Sequence, residues 1–291
     1  MRLAFHAGAV AVLTIAGCSA QSSQEAASAS SKLQAELDRA QAQWEKTTEA
    51  RAVPVDWTIT RSLTVQRRMT GGNRFNGKRV VDVDLEHEEN VRFGIHDRFS
   101  ISAWIMPTAS TGAIVARGKD APQAEGYGLY LESCKLRVNL TRHWPDDALS
   151  VEAEHAIELN QWHNVTMTYD GSGAAAGIRM YIDGQPQKMN VNLDQLHGSF
   201  ETTESLWIGG GGGPDSHFRG QIRSVRIYRA VLNADEAAVI ATETPVSNIA
   251  EIPAEKRTHG ESEKIRRYFL ERAAPADIRE AWDRAAGASS L

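Results

Sequence analysis

Between Phe99 and Tyr228 the chain alternates apolar and polar residues in short runs. In FSISAWIMP, Phe99, Ile101, Ala103 and Ile105 fall on one side of an extended backbone, with Ser100, Ser102 and Trp104 on the other. NVTMTYD alternates Val165, Met167 and Tyr169 with threonines, and IRMYIDG alternates Ile178, Met180 and Ile182 with Arg179, Tyr181 and Asp183. A period of two over such lengths requires strands with one buried face. The runs are punctuated by Asp170-Gly171-Ser172-Gly173 and Asp183-Gly184, hairpin signals because glycine accepts positive φ. About a dozen such runs follow one another from Trp57 to Arg229 with no helical pattern between them, which predicts an all-β, two-sheet jelly-roll sandwich.

Helical periodicity flanks this region. Leu33, Leu37, Ala40 and Trp44 recur at helical spacing and predict an amphipathic helix within residues 31–52, capped by Ser30 or Ser31. Asn233-Ala234-Asp235-Glu236 reads as a capping box opening a short helix to about Ala241. Pro245 and Pro253 bracket a linker. Glu261–Ala273 carries Ile265, Tyr268 and Phe269 on its apolar side, and Pro275 begins a helix with Ile278, Trp282 and Ala285 on one face. Helices this short have no core of their own, so they must pack on the sandwich, on the N-terminal helix or on another protein. The predicted divisions are a sandwich over 55–241 and a linker with a helical tail over 242–291.

Residues 1–17 form a different kind of segment. Arg2 is followed by an apolar run from Leu3 to Ala16, too short for a permanent span and suited to a signal peptide. It ends Ile15-Ala16-Gly17-Cys18, which resembles a bacterial lipobox. There the Cys sulfur takes a lipid, the chain is cleaved before it, and several acyl chains together give a stable anchor. This predicts lipidation at Cys18, export, and a solvated tether over the Ser/Ala/Gln-rich residues 18–30. Ser19 lacks the Asp associated with inner-membrane retention, which leans toward the periplasmic face of the outer membrane. With Cys18 lipidated, Cys134 has no intramolecular partner, and its strand-like setting predicts a buried, inert thiol. No CxxCH haem attachment and no metal-ligand spacing is present. A net charge of −5 with dispersed basic residues argues against nucleic acid as a partner.

Five blocks in order resemble the LamG-like jelly-roll family of the concanavalin A-like lectin/glucanase superfamily. They are FNGKRVVDVD (Phe75–Asp84), FSISAWIMP (Phe99–Pro107), QWHNVTMTYDGSG (Gln161–Gly173), MYIDGQP (Met180–Pro186) and the closing block from Ile208 to Ile240. RHWPDDALSVEAE (Arg142–Glu154), the glycine run Gly209–Gly213 and the tail Ile249–Trp282 further resemble the LamG-type module of large planctomycete-type cytochrome c domain proteins. The haem motif of those proteins is missing, so electron transfer does not carry over. The resemblance implies a concanavalin A-like fold with flanking helices, and it places the glycine run as a turn of the fold. A phosphate loop would need Gly-Lys-Ser/Thr opening a helix.

The resemblance also directs attention to sites. Many members carry an acidic pair for structural calcium where Arg223-Ser224 stand here, and an arginine opposes calcium, so no metal is predicted at that pair. Asp82, Asp84 and Glu86 share one strand face and superficially resemble the catalytic strand of the glucanase branch. The first position is Asp, one methylene shorter, and the strand lies at the domain's opening, so an acidic edge against strand pairing is the simpler reading. His163 has no acid or nucleophile at a telling distance in sequence. Trp104 and Trp162 fall in strand motifs and read as packing residues. Trp144, Asp146 and Asp147 combine an aromatic face with carboxylates, the groups that hold a sugar ring, and they are the predicted ligand-binding residues. The functional expectation is a non-catalytic, envelope-anchored binding module without cofactor, whose partner is a glycan or an envelope protein. The alternative is an assembly subunit docking through its terminal helices. A glycoside hydrolase ranks last.

Overall fold

The computed structural model describes residues 15–67, 73–78, 81–83 and 88–288. They fall into two compact units: Asp56–Pro245 with Pro253–Lys264, and the residues up to Val55 with Val246–Ile252 and the residues from Ile265 on.

The first unit is the predicted antiparallel sandwich. One sheet runs β1 (Leu63–Arg67), β14 (Arg219–Tyr228), β4 (Phe99–Pro107), β9 (His163–Tyr169), β10 (Ile178–Ile182), β11 (Gln185–Pro186), with β2 (Asn73–Asn76) also paired to β14. The other runs β12 (Met189–Asp194), β8 (Asp147–Ala156), β7 (Lys135–His143), β6 (Gly126–Glu132), β5 (Gly112–Gly118), β13 (Leu206–Ile208), β3 (Val81–Val83). The apolar positions of the alternation face inward. Phe99, Ile101, Ile105, Val165 and Met167 of the first sheet and Leu129, Leu136, Val138, Leu140 and Val151 of the second belong to one buried cluster. Each such side chain contributes about 1.5–3 kcal/mol by leaving water. At one end Phe93 stacks on Phe99 at 4.3 Å between ring centroids, and the Tyr127 hydroxyl donates to the Val91 carbonyl at 2.7 Å.

The other face of the first sheet is also buried. Ser100, Ser102, Thr166 and Thr168 alternate with core residues, yet are fully covered. The capping box closes as the sequence predicts. The Asn233 side chain accepts from the Glu236 N–H at 2.9 Å, and Glu236 accepts from the Asn233 N–H at 3.1 Å, starting α3 (Ala234–Ile240). Leu232, Val239 and Ile240 form a second apolar cluster with Ile59 and Tyr228. Ser100 Oγ donates to the Ala230 carbonyl at 2.7 Å and accepts from the Leu232 N–H at 3.1 Å. Thr166 Oγ1 donates to Ser102 Oγ at 2.9 Å. This face is polar but buried; the Ser100, Ser102 and Thr166 hydroxyls pair with one another or with the covering segment, while Thr168 Oγ1 has no hydrogen-bond partner in the chain.

Part of the tail belongs to this unit, unlike the predicted boundary at residue 241. Lys264 Nζ donates to the Thr242 and Thr244 carbonyls at 2.7 and 2.9 Å, and Thr244 Oγ1 donates to Glu261 at 3.0 Å. These bonds hold Pro253–Lys264, including the start of α5 (His259–Tyr268), on the sandwich.

The second unit is helical. α1 (Ile15–Trp44) meets the segment after α5, which widens to a π-helical turn over Phe269–Ala273, and α6 (Ala276–Ala288). Trp44 packs on Tyr268 and Phe269 with ring centroids 5.6 and 5.5 Å away, and Arg266 pairs with Asp38 at 2.7 Å. α2 (Thr48–Arg51) and α4 (Val246–Ile249) add Ala50, Val246 and Ile249 to the buried set. Of the three packing options for the tail helices, the N-terminal helix is the one realised within this unit. Residues 18–30 are helical rather than an extended tether. Their alanine, glutamine and glutamate content favours helix once Leu37 and Trp44 anchor the downstream turns. No helix among the described residues is long and apolar enough to cross a membrane. Residues 1–14 of the predicted signal peptide lie outside the described residues, as does the side chain of Cys18.

Candidate ligand-binding site

The outer face of the second sheet is left open, and the sequence makes it so. On β6, Tyr127, Leu129 and Leu131 point into the core, leaving Gly126, Gly128, Tyr130 and Glu132 outward. On β7, Leu136, Val138 and Leu140 point in, leaving Arg137, Asn139 and Thr141 outward. Register sets these in cross-strand rows: Tyr130, Arg137 and Glu152 in one, Gly128, Asn139 and Ser150 in the next, and Gly126, Thr141 and Ala148 in the third. A cavity of about 180 Å³ lies over them, lined by Tyr130, Glu132, Arg137, Asn139, Thr141 and Trp144, with walls from 111–112, 122–126 and the glycine run.

Two devices shape the cavity. The Tyr130 ring folds back over Gly128, where a Cβ would lie 2.5 Å from the phenol. Burial raises the Tyr130 pKa, and the nearby Asp120 charge adds to the shift, so the phenol stays protonated. The glycine run forms a wall because Asp120 gathers it. Asp120 Oδ1 accepts from the Gly211 and Gly213 N–H groups, both at 3.0 Å, and Oδ2 meets His217 Nε2 at 2.6 Å. Gly211 and Gly213 have φ of 97° and 86°, which side chains avoid. Burial alone would raise the Asp120 pKa, but the His217 hydrogen bond, with those from Gly211 and Gly213, outweighs it, and the net direction is below the ordinary value.

The floor is polar and incompletely paired. Arg137 Nη2 binds Glu152 at 2.6 Å, with Glu132 4.0 Å from Nη1 and Lys135 3.5 Å from Glu152. Arg137 Nε, Asn139 Oδ1 and Ser150 Oγ are all buried with no hydrogen-bond partner in the chain. Arg137 and Asn139 line the cavity, whereas Ser150, 1% exposed, is not among its lining residues.

The predicted site residues are placed as follows. Trp144, whose peptide bond to Pro145 is cis, lies at the β7–β8 turn and lines the cavity half-buried. Asp146 is exposed on that turn. Asp147 is committed elsewhere. Its Oδ1 accepts from the His197 and Gly198 N–H groups at 2.7 and 3.2 Å, and its Oδ2 from Arg142 at 2.8 Å. The bond from His197, then the Arg142 guanidinium, holds its pKa down at about 2. It therefore anchors the 196–198 segment as a carboxylate. Tyr130, Arg137, Asn139 and Ser150 escaped the sequence reading. The signal was GYGLYLE followed by KLRVN, where glycines and polar residues sit at every outward position.

The other candidates lie apart from the cavity. Arg223 lies over the Trp162 and Trp104 rings at 4.2 and 5.2 Å and pairs with Glu243 at 2.7 Å. A guanidinium therefore stands at this position, and its charge repels a divalent cation there. Among the described residues no group of three or more His, Cys, Asp or Glu could hold a metal ion. His163 Nδ1 does meet an acid, Asp183, at 2.8 Å across the sheet. Asp183 also accepts from the Asn164 N–H at 2.8 Å, and the pair ties the β10–β11 turn to β9. Asp84 and Glu86 lie outside the described residues, and Asp82 is placed in β3 opposite Trp207 of β13.

The model of the concanavalin A-like lectin/glucanases superfamily matches residues 82–238, more than half of the chain. The chain belongs to this superfamily. Solved structures similar to this superfamily member include the Ruminococcus gnavus IT-sialidase CBM40. It is 14% identical, with a TM-score of 0.49 over 61% of this chain and 98% of that one. The same module bound to α2,3-sialyllactose is 16% identical, with a TM-score of 0.46 over 62% and 97%. The binding domain of Botulinum neurotoxin DC in complex with rat synaptotagmin II is 16% identical, with a TM-score of 0.42 over 62% of this chain and 51% of that one.

Proposed function

We propose that this chain is a non-catalytic carbohydrate-binding module whose ligand seats on the open face of the second sheet, held at the cell envelope by lipid on Cys18. The observation that carries the reading is the cavity itself: an aromatic side chain, Trp144, at its rim and the polar side chains of Arg137, Asn139 and Thr141 along its lining. An apolar surface beside a few convergent polar groups is the make-up of a sugar site. Glu152 on this face is ion-paired to both Arg137 and Lys135, which commits its carboxylate to holding its neighbours. The assembly reading loses support, since Ile265, Phe269 and Ile278 of the stripes it would use are buried within this chain and Trp282 is half-buried.

Retention of the purified protein on cell-wall polysaccharides, or on a glycan array, tests the reading. Trp144→Ala should weaken retention about tenfold or more by removing the aromatic surface, with little change in melting temperature because Trp144 is half-buried at a turn. Unchanged retention would remove Trp144 from the site. For the anchor, Cys18→Ser should move the protein from the membrane fraction to the soluble one and abolish fatty-acid labelling. A variant that stays with membranes would refute lipidation.

A further inference from the structure

We infer that one end of the outer face of the first sheet is a second interaction surface, which docks on an anionic lipid bilayer. This goes beyond the sugar reading and needs neither the cavity nor lipid on Cys18.

The surface begins in the sequence. Between Asp56 and Asp82 the chain carries Arg61, Arg67, Arg68, Arg74, Lys78 and Arg79 and no acidic residue, although its net charge is −5. The fold then sets part of this run beside Arg219 of the last strand. The segment that covers the outer face of the first sheet stops short of one end. There Phe75, Ile105 and Ile222 point into the core, so their neighbours along β2, β4 and β14 point outward. Register sets Arg219 opposite Asn76, Gln221 opposite both Arg74 and Met106, and Arg223 opposite Trp104. Arg219 lies over the turn after β2, where a Cβ on Gly77 would come 2.7 Å from its Nε, and Lys78 follows in that turn. Arg74, Lys78 and Arg219 are exposed, and none of the three has an ion pair among the described residues.

This arrangement is unfavourable for the chain by itself. Arg74 and Arg219 are diagonal neighbours across β2 and β14, a separation of about 7–8 Å at which long side chains meet and like charges oppose each other. Four other arginines of the sandwich are neutralised at short range: Arg61 by Glu236, Arg137 by Glu152, Arg142 by Asp147 and Arg223 by Glu243, at 2.6–2.9 Å. A partner that brings negative charge supplies what Arg74, Lys78 and Arg219 lack.

Two features point to a bilayer as that partner. The cations are bordered on the same face by half-buried Trp104, Trp162 and Met106, with Arg223 stacked on the two indoles at 5.2 and 4.2 Å. Cations beside tryptophan are the side chains that collect at the boundary between water and lipid headgroups. The cations also come from a strand, a turn and the neighbouring strand, so they spread their charge over a broad sheet face and do not converge on one anionic group. Such a spread suits a surface of many headgroups. Each cation near an anionic membrane adds about fivefold to partitioning, so three add about a hundredfold.

Vesicles test this with the full chain carrying Cys18→Ser, so that no lipid on the protein contributes. The probes are vesicles of phosphatidylcholine alone and of phosphatidylcholine mixed with phosphatidylglycerol, at low salt and at about 0.5 M salt, where screening confines charge to a few ångströms. The protein should sediment with the mixed vesicles and not with phosphatidylcholine alone, and should be released at high salt. Arg74→Gln with Arg219→Gln should weaken this about twentyfold, while the melting temperature holds or rises because a like-charge pair is removed. Lys188→Gln, which removes an exposed cation beside β12 of the other sheet, should bind as the parent does. Equal sedimentation with both kinds of vesicle would overturn the inference. A loss from Lys188→Gln as large as that of the double variant would do so too, by tracing binding to net charge, and parent-level binding by the double variant would move the contact off this face. Capture by polygalacturonate through the same two arginines, without vesicle binding, would replace the bilayer with an acidic polysaccharide. None of these outcomes touches Trp144 and the cavity, and failure of every glycan to be retained would leave the vesicle result standing.

Discussion

At the scale of single residues, a partly buried carboxylate and a buried ammonium both make stability rise with pH, in different windows. Asp120 holds the glycine wall as a carboxylate, with a pKa below its ordinary value of 3.8. The folded state therefore binds its proton less readily than the unfolded chain does. The stabilisation is complete above the ordinary carboxylate range and is lost as pH falls through the folded value. Asp120→Asn should lower the melting temperature at pH 7, and the gap to the parent should close below about pH 4. A gap that stays constant into acid would deny the carboxylate this role. Lys264 is 4% exposed, and burial, with the Arg226 charge adding, lowers its pKa from 10.5 to about 8. Here too the unfolded chain holds the proton more tightly, so stability rises with pH between about 8 and 10.5. Lys264→Met removes that dependence. Denaturation of variant and parent across this window should differ in slope, by on the order of 3 kcal/mol in all. Parallel curves would show that Lys264 stays charged at no cost. Neither role could be read from the sequence, because Asp120 and His217 are far apart along the chain and Lys264 reads as one more basic residue on an amphipathic helix.

At the scale of elements, turns and strands were legible to different degrees. Asp183-Gly184 takes positive φ at both positions and closes β10 on β11, as its composition predicts. Ser133-Cys134 does the same between β6 and β7, with φ of 50° and 65° and no glycine. That turn is imposed by the pairing of its strands and carries no local signal. The strands announced themselves through alternation, but alternation reports only which face is apolar. It cannot tell a polar face in water from one sealed by a later segment. Ser100 and Ser102 on β4 have the same pattern as Asn139 and Thr141 on β7, yet Leu232 and α3 cover the former while the latter border a cavity. Trp144 was found because an aromatic beside carboxylates is a local pattern, whereas the floor depends on the register of three strands. The glycine run was legible as a turn, and its partner Asp120 was not. Gly211→Ala should cost more than about 1 kcal/mol by denaturant midpoint, through its positive φ and a Cβ 2.7 Å from Ala116 Cβ. A neutral outcome would mean the wall adjusts freely.

At the scale of the whole molecule, the helical unit joins the two ends of the chain through Trp44, Tyr268 and Phe269. Trp44→Ala should cost that unit about 3–5 kcal/mol, as large aromatic truncations do. The loss should appear as reduced helical circular dichroism while sugar binding by the sandwich persists. Loss of both together would show that the units fold as one. On the proposed reading, the cavity of about 180 Å³ on the second sheet takes a single sugar ring. A hexose has about a dozen non-hydrogen atoms, and at about −0.3 kcal/mol per atom the affinity of a single copy is near millimolar. Such a module is a poor captor alone. Many copies held in one plane would grip a polymer that repeats the same sugar, because each bound copy raises the local concentration of the next. The quantity that sets adhesion is then the number of copies per unit area, and the small cavity makes the grip sharply dependent on how much of the protein is displayed.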